Sequence, residues 1–186
     1  MARDEARSRL GLAADARVAL VFGGSLGARL LNDLALDAWA ESGPAVVHLC
    51  GERDYPELRG RATRPDYILQ PFMDEIGVAY GAADVALARA GGSVWELAAA
   101  GLPAVLVPGA FATGDHQEKN ARWFADAGGA IVVPEAEAAH APRTVEELLE
   151  DTGRLEAMAA AMRAIAKPDA AEEIADGLVS LATAHR

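Results

Sequence analysis

Short apolar runs alternate with amphipathic stretches along most of the chain. Runs rich in valine, leucine and alanine are typical of parallel strands that are buried on both faces. The pattern predicts strands at 17–22, 45–49, 67–69, 84–88, 104–107 and 130–133. It predicts helices at 29–41, 74–82, 93–100 and 115–127, with shorter helices in 1–16 and 52–64. Strands that alternate with helices in this way indicate a parallel, doubly wound α/β sheet.

The sequence after the last predicted strand is helical. Helices are predicted at 145–150, 153–166 and 170–182, and an apolar stripe in the middle one predicts a buried face. We expect the C-terminal helices over 143–183 to pack on the sheet. Because no linker or repeat interrupts the pattern, residues 1–186 are predicted to form a single Rossmann-like domain.

Composition narrows the classes of partner. The 186 residues are 52% hydrophobic and carry a formal net charge of −11, which argues against a nucleic-acid partner because such a partner needs a basic face. An anionic ligand would therefore be held by local backbone dipoles. The sequence has no apolar run near the ~20 residues that span a bilayer. The single cysteine, Cys50, cannot form an internal disulfide, and we expect a buried thiol in a cytoplasmic protein.

Two glycine-rich turns follow predicted strands, at 23–28 and at 91–93. Ligands of open α/β sheets bind at the carboxyl ends of the strands, and free backbone N–H groups there suit a phosphate or diphosphate. Neither turn matches the dinucleotide fingerprint or a P-loop, so NAD binding and nucleoside triphosphate hydrolysis are weakly supported. The alternative is that these glycines only let helices pack close to strands.

The second turn suggests two possible roles for the carboxylate of Glu96, one structural and one in ligand binding. Gly91 and Gly92 are expected to adopt unusual backbone angles. Ser93 is predicted to cap the following helix, with Glu96 at the capping-box position, and this pattern favours a structural role for Glu96. The same geometry would also direct Glu96 towards the mouth of the turn, where it could accept hydrogen bonds from sugar hydroxyls. Both readings stay open at this point.

The helix at 115–127 carries the remaining polar candidates. Asp115 is predicted to cap it, which places His116 and Gln117 in its first turn, within reach of a ligand. Metal chemistry is not predicted, because the four histidines are scattered without ligand spacing and no Asp-x-Asp pair is present.

Motifs at both turns resemble those of MurG-type GT-B glycosyltransferases. That family transfers N-acetylglucosamine from UDP-GlcNAc to lipid I in peptidoglycan synthesis. The matching segments are G-G-S-L-G-A at 23–28 with Asn32, Q-P-F-M at 70–73, R-A-G-G-S-V-W-E at 89–96, and D-H-Q at 115–117 with Asn120. They lie between about residues 18 and 133 and cover only the C-terminal, donor-binding half of that family.

The resemblance implies a metal-independent UDP-GlcNAc site and a role for each matching residue. Met73 would offer its backbone to the uracil, and Glu96 would bind the ribose hydroxyls. The diphosphate would lie on Ser25, Gly92 and Ser93, next to Gly24. The sugar hydroxyls would face His116 and Gln117, with Asn120 supporting their loop. The segment from Arg89 to Glu96 is one residue shorter than the family pattern.

The resemblance also implies what the chain needs from a partner. The N-terminal half of the family binds the lipid acceptor and carries the expected catalytic base, so we expect this chain to transfer no sugar without an acceptor domain or a separate acceptor subunit. The full enzyme would be peripheral on the inner face of the plasma membrane. Two alternatives are a naturally separate donor subunit of a two-subunit UDP-GlcNAc transferase and a non-catalytic nucleotide-binding module.

Overall fold

A computed structural model of the protein describes residues 1–24, 27–109 and 116–184. Its strands are β1 (Val18–Phe22), β2 (Ala45–Leu49), β3 (Tyr67–Gln70), β4 (Val85–Ala88), β5 (Ala104–Leu106) and β6 (Ala130–Val132). Its helices are α1 (Arg3–Arg9), α2 (Arg29–Trp39), α3 (Tyr55–Leu58), α4 (Ile76–Ala82), α5 (Val94–Ala100), α6 (His116–Asp126), a 3-10 helix (Glu135–His140), α7 (Ala141–Glu150), α8 (Thr152–Ile165) and α9 (Ala170–Ala184).

The six strands form one parallel sheet in the order β3-β2-β1-β4-β5-β6, which confirms the predicted α/β fold class. All five residues of β1 are buried, because helices cover both faces of the sheet. Ala19 and Val21 pack in the cluster that contains Trp39 of α2. Leu20 and Phe22 pack in the opposite cluster with residues of α4, α5 and α6.

The segment over 143–183, predicted to pack on the sheet, divides into parts with different surroundings. Val145 and Leu148 of α7 are fully buried, and Leu155 and Met158 of α8 join the same core cluster. In α9, by contrast, residues 171–183 are all exposed. The prediction is wrong for α9, because its large apolar residues stay exposed: Ile174, Leu178, Val179 and Leu181 are each 63% accessible to solvent.

Helix α1 is anchored through one buried arginine. The Arg7 side chain is only 5% exposed. Its Nη2 donates to Asp84 Oδ2 at 2.8 Å, its Nε to the Ala82 carbonyl at 3.0 Å and its Nη1 to the Ala14 carbonyl at 2.6 Å. Asp84 Oδ2 also accepts the backbone N–H of Val18 at 2.8 Å, so this ion pair joins α1 to the starts of β1 and β4.

The start of one helix differs from the prediction for a physical reason. The helix predicted at 145–150 begins at Ala141, because Pro142 lies in its first turn, where a missing N–H costs no hydrogen bond. The 3-10 helix before it was not predicted. Within the described residues, no helix is long and apolar enough to cross a bilayer.

Candidate functional site

A pocket of about 240 Å³ opens at the carboxyl edge of the sheet. It lies beside β1 and β4, where the strand order reverses direction, which is the position at which open α/β sheets bind ligands. Its walls come from the ends of β1 and β2, the segment after β3, helix α4 and the start of α5. The lining residues are Phe22, Gly24, Leu49, Pro71, Phe72, Met73, Asp74, Ile76, Tyr80, Ser93 and Glu96.

Four of the residues predicted for the site line this pocket together: Gly24, Met73, Ser93 and Glu96. They come from three separate segments, so only the fold brings them into one place. Gly92 immediately precedes Ser93. The predictions for Ser25 and for capping by Asp115 fall outside the described residues.

The backbone at the second glycine turn differs from the expectation. Neither Gly91 nor Gly92 has a positive φ angle. The Val94 N–H donates to the Gly91 carbonyl at 3.2 Å and the Trp95 N–H to the Gly92 carbonyl at 3.1 Å, so the turn already winds in the helical sense. What distinguishes both glycines is space, because a Cβ added to either would meet nothing within 4 Å.

The capping box predicted for Ser93 and Glu96 is wrong. Ser93 has φ −61° and ψ −15°, and its side chain makes no cap hydrogen bond. An N-cap residue needs extended backbone angles for its hydroxyl to reach the helix amides, and Ser93 is already helical. Glu96 Oε2 instead accepts the Tyr80 hydroxyl at 2.8 Å, on the wall of the pocket. Burial, with this bond to Glu96, raises the pKa of Tyr80 above its ordinary value.

The first glycine turn combines an open position with two crowded ones. Gly24 has φ +90°, and a Cβ there would meet nothing within 4 Å. Gly27 has φ +74°, and a Cβ there would lie 2.1 Å from the Cys50 carbonyl oxygen. A Cβ at Gly23 would lie 2.2 Å from that of Ala28. The turn is therefore packed against the protein at Gly23 and Gly27 and open at Gly24, which lines the pocket.

A buried polar network lies next to this turn. The imidazole of His48, on β2, is fully buried between the Tyr67 hydroxyl, 2.8 Å from Nδ1, and Asn32 Oδ1, 2.9 Å from Nε2. Asn32 Nδ2 donates to the Cys50 carbonyl at 2.9 Å and to Asp54 Oδ2 at 3.0 Å. Burial lowers the pKa of His48 to about 3, so the imidazole is neutral at physiological pH.

The cysteine has no reactive character. Cys50 is buried, as expected, and burial raises the pKa of its thiol to about 11. A thiol must ionise to act as a nucleophile or metal ligand, so this one is inert near neutral pH. In the described part of the chain, no group of three or more histidine, cysteine, aspartate and glutamate side chains could hold a metal ion.

Helix α6 is hydrogen-bonded to loops beside the pocket, but its residues do not line the pocket. The Gly109 N–H donates to Gln117 Oε1 at 2.8 Å, and Asn120 Nδ2 donates to the Ala90 carbonyl at 3.1 Å. Asn120 therefore joins α6 to the second glycine turn. His116 is the exposed first residue of the helix. Of the predicted residues, His116, Gln117 and Asn120 are thus placed apart from the four that line the pocket.

Several residues of the site were missed in the sequence. Tyr80 carries the hydrogen bond to Glu96, and Phe22 packs against Tyr80 with ring centroids 6.2 Å apart. Phe22 ends a strand that precedes a glycine turn, which is a usable signal for a pocket wall. Nothing in the local sequence distinguishes Tyr80 from a core aromatic, because its partner lies 16 residues later on another helix.

Comparison with known proteins points to one family. Residues 18–174 match the glycosyltransferase family 28 C-terminal domain. The chain is 44% identical over 171 residues to a UDP-N-acetylglucosamine–N-acetylmuramyl-(pentapeptide) pyrophosphoryl-undecaprenol N-acetylglucosamine transferase of Nitratidesulfovibrio vulgaris, an alignment that covers 87% of the chain and 47% of the relative. A transferase of the same name from a Mycobacterium species is 43% identical over 180 residues, covering 93% and 48%.

Solved structures that are similar to the chain are also glycosyltransferases. MurG of Acinetobacter baumannii matches with a TM-score of 0.72 at 30% identity, covering 92% of this chain and 52% of that protein. The calicheamicin glycosyltransferase matches with a TM-score of 0.67 at 26% identity, covering 90% and 45%. The chain thus spans about half the length of the relatives that it matches.

Proposed function

The chain belongs to the glycosyltransferase family 28 C-terminal domain family, and from this premise we propose that it binds UDP-N-acetylglucosamine as the donor half of a MurG-type N-acetylglucosaminyltransferase. The acceptor would be N-acetylmuramyl-(pentapeptide) pyrophosphoryl-undecaprenol, the lipid named for the relatives. The whole enzyme would then work at the cytoplasmic face of the membrane that holds this lipid.

The pocket at the carboxyl edge is the observation that carries this proposal. Gly24, Met73, Ser93 and Glu96, taken from three motifs, converge on it. Its volume of about 240 Å³ is below the roughly 300–1,000 Å³ of sites that enclose a whole drug-sized ligand. It therefore suits the nucleoside end of a sugar nucleotide, with the diphosphate and the sugar outside it.

The uridine would lie among the apolar walls of the pocket. Phe22, Leu49 and Ile76 offer apolar surface to the uracil ring, and the backbone of Met73 can hydrogen-bond its edge. Glu96 would accept the ribose hydroxyls. One of its oxygens is already oriented by the Tyr80 hydroxyl, so the carboxylate is held in place before the ribose arrives.

The diphosphate would lie between the two glycine turns. The open faces of Gly24 and Gly92 leave room for phosphate oxygens to approach the backbone. The amides of these turns, with Ser25 and Ser93, would supply the hydrogen bonds. Backbone N–H dipoles can stabilise the negative charge on departing UDP, and we propose that they do so here without a metal ion.

The sugar would face helix α6. Gln117 uses Oε1 to accept the Gly109 N–H, which orients its amide nitrogen as a donor for a sugar hydroxyl. His116 would contact another hydroxyl from the first turn of the same helix. Asn120 would act indirectly, because its bond to the Ala90 carbonyl fixes α6 relative to the second turn.

In the transfer itself, the acceptor hydroxyl attacks the anomeric carbon, the bond from that carbon to the diphosphate oxygen breaks, and UDP leaves with the electron pair. The hydroxyl proton goes to a general base. None of the described residues is assigned as that base, and we propose that an acceptor domain or subunit supplies it. The chain alone is then expected to bind the donor and transfer nothing.

Nucleotide titration tests the binding function. UDP and UDP-GlcNAc are expected to bind with dissociation constants in the high micromolar range, about −5 kcal/mol, with UDP-glucose as a sugar control. Binding should be unchanged by EDTA, since no cation is required. Tight binding of NAD, or loss of UDP binding in EDTA, would refute the proposal.

Glu96→Ala tests the ribose contact. Removing a charge-assisted hydrogen bond is expected to weaken UDP binding by about 1.5–3 kcal/mol, while stability changes little because Glu96 is exposed and caps nothing. Glu118→Ala is the matched control, since that carboxylate is on α6 and pairs with Arg122. A lower melting temperature with unchanged UDP affinity would instead assign Glu96 a purely structural role.

A further inference from the structure

In the buried network next to the first glycine turn, each hydrogen bond can be donated in only one direction. Asn32 Nδ2 faces two groups that can only accept, the Cys50 carbonyl and the Asp54 carboxylate. The Arg53 guanidinium, hydrogen-bonded to Asp54 at 2.8 Å, lowers the pKa of that carboxyl and keeps it ionised. Both amide hydrogens of Asn32 are thereby used, so its Oδ1 must accept.

This assignment fixes the tautomer of the histidine. His48 Nε2 faces Asn32 Oδ1, so Nε2 carries the hydrogen and donates. Nδ1 is then unprotonated and accepts the Tyr67 hydroxyl. Burial keeps the phenol protonated by raising its pKa and keeps the imidazole neutral. The order of donation runs from Tyr67 to His48, from His48 to Asn32, and from Asn32 to Cys50 and Asp54.

The end of this chain of bonds is in contact with the turn. The Cys50 carbonyl oxygen, which accepts Asn32 Nδ2, packs against the Gly27 backbone so closely that no Cβ would fit between them. The Gly27 N–H donates to the Gly24 carbonyl at 3.0 Å. The position of the Cys50 carbonyl therefore sets where Gly27 lies, and through it Gly24 on the pocket wall.

We propose that His48 is a positioning residue for nucleotide binding, acting through Asn32 and the Cys50 carbonyl to hold Gly27 and Gly24 in place beside the diphosphate. Donation from Nε2 keeps the Asn32 amide turned towards Cys50. Without that donor, Asn32 Oδ1 is left buried and unsatisfied, and rotation of the amide would break the bond to Cys50. The choice of ligand in this inference rests on the proposed function.

Two amide substitutions of His48 distinguish the role of Nε2 from that of Nδ1. The amide of His48→Gln reaches the position of Nε2 and can still donate to Asn32, whereas that of His48→Asn reaches only the position of Nδ1 and contacts Tyr67. We expect His48→Gln to bind UDP within about twofold of the wild type and His48→Asn to bind about tenfold more weakly, as for one unsatisfied buried group. Uridine, which lacks phosphates, should bind equally to both variants.

Tyr67→Phe is the control for the rest of the network. It removes the hydroxyl but leaves the donor to Asn32, so UDP affinity should stay within about twofold of the wild type. All titrations are made well below the melting temperature of each variant. The inference is overturned if Tyr67→Phe weakens UDP binding about tenfold, if His48→Asn and His48→Gln bind UDP alike, or if uridine binding falls in parallel.

A measurement without ligand separates this inference from the proposed function. Hydrogen exchange at the Gly27 amide reports its bond to the Gly24 carbonyl. Exchange should be about tenfold faster in His48→Asn than in His48→Gln, and equal rates overturn the positioning role. If the wild type does not bind UDP but this difference is seen, the positioning stands and the proposed ligand is wrong.

Discussion

Substitution of Gly27 by alanine tests how tightly the first glycine turn is packed. Two costs combine at this position. A left-handed φ of +74° costs a residue with a Cβ about 1–2 kcal/mol. The new methyl would also lie 2.1 Å from the Cys50 carbonyl oxygen and 3.0 Å from its carbon. Relieving such an overlap requires backbone movement, which costs about 1–3 kcal/mol. We therefore expect the free energy of unfolding to fall by about 2–5 kcal/mol.

Gly24→Ala is the matched control within the same turn. Its φ is +90°, but nothing lies within 4 Å of the added Cβ. Only the left-handed cost applies, and we expect a loss of about 1–2 kcal/mol. Urea denaturation followed by the fluorescence of the buried Trp39 measures both variants against the wild type. Equal losses for the two variants would refute the close contact between Gly27 and Cys50.

The remaining predictions concern two buried groups. The His48 pKa is about 3 in the folded protein and near 6.5 in the unfolded chain, so its stabilising contribution is complete above pH 6.5 and is lost as the pH falls towards 3. Unfolding titrations should show the wild type losing about 3 kcal/mol more than His48→Gln between pH 7 and pH 4, and parallel curves would refute this. Arg7→Met should cost about 1–3 kcal/mol of stability, because Asp84 and two backbone carbonyls lose their donor while Arg3, 3.1 Å from Asp84 Oδ1, still offsets the carboxylate charge. The exposed Arg9→Met, on the same helix, should cost about 0–1 kcal/mol, and equal losses would contradict the structure.

The sheet could be predicted from the sequence because its strands are short and mostly apolar. The run at 45–49 has no polar residue other than His48, and the structure gives the same bounds for β2. The ends of the helices were harder to predict than the strands. The exposure of α9 could not be predicted at all. An apolar stripe shows that a helix can pack, but not whether a surface is available to it.

The site was predictable only where each motif carries its own signal. Gly24, Ser93 and Glu96 stand out locally, and the pocket indeed brings them together. The spacing of Ser93 and Glu96 also fitted a capping box, and only the backbone angles of Ser93 exclude it. The partners of His48 lie 16 and 19 residues away, so a histidine that seemed scattered proved to be the centre of a network.

The parallel order of the sheet has a consequence for how the chain folds during synthesis. Strand β1 is flanked by β2 and β4, and the Val18 N–H is bound to Asp84, 66 residues later. At about 5–20 residues per second, a ribosome needs roughly 3–13 s to make that segment. Through this interval one edge of β1, with the apolar sequence V-A-L-V-F, has no strand to pair with. Unpaired apolar edges recruit other chains, so β1 is open to aggregation until β4 has emerged.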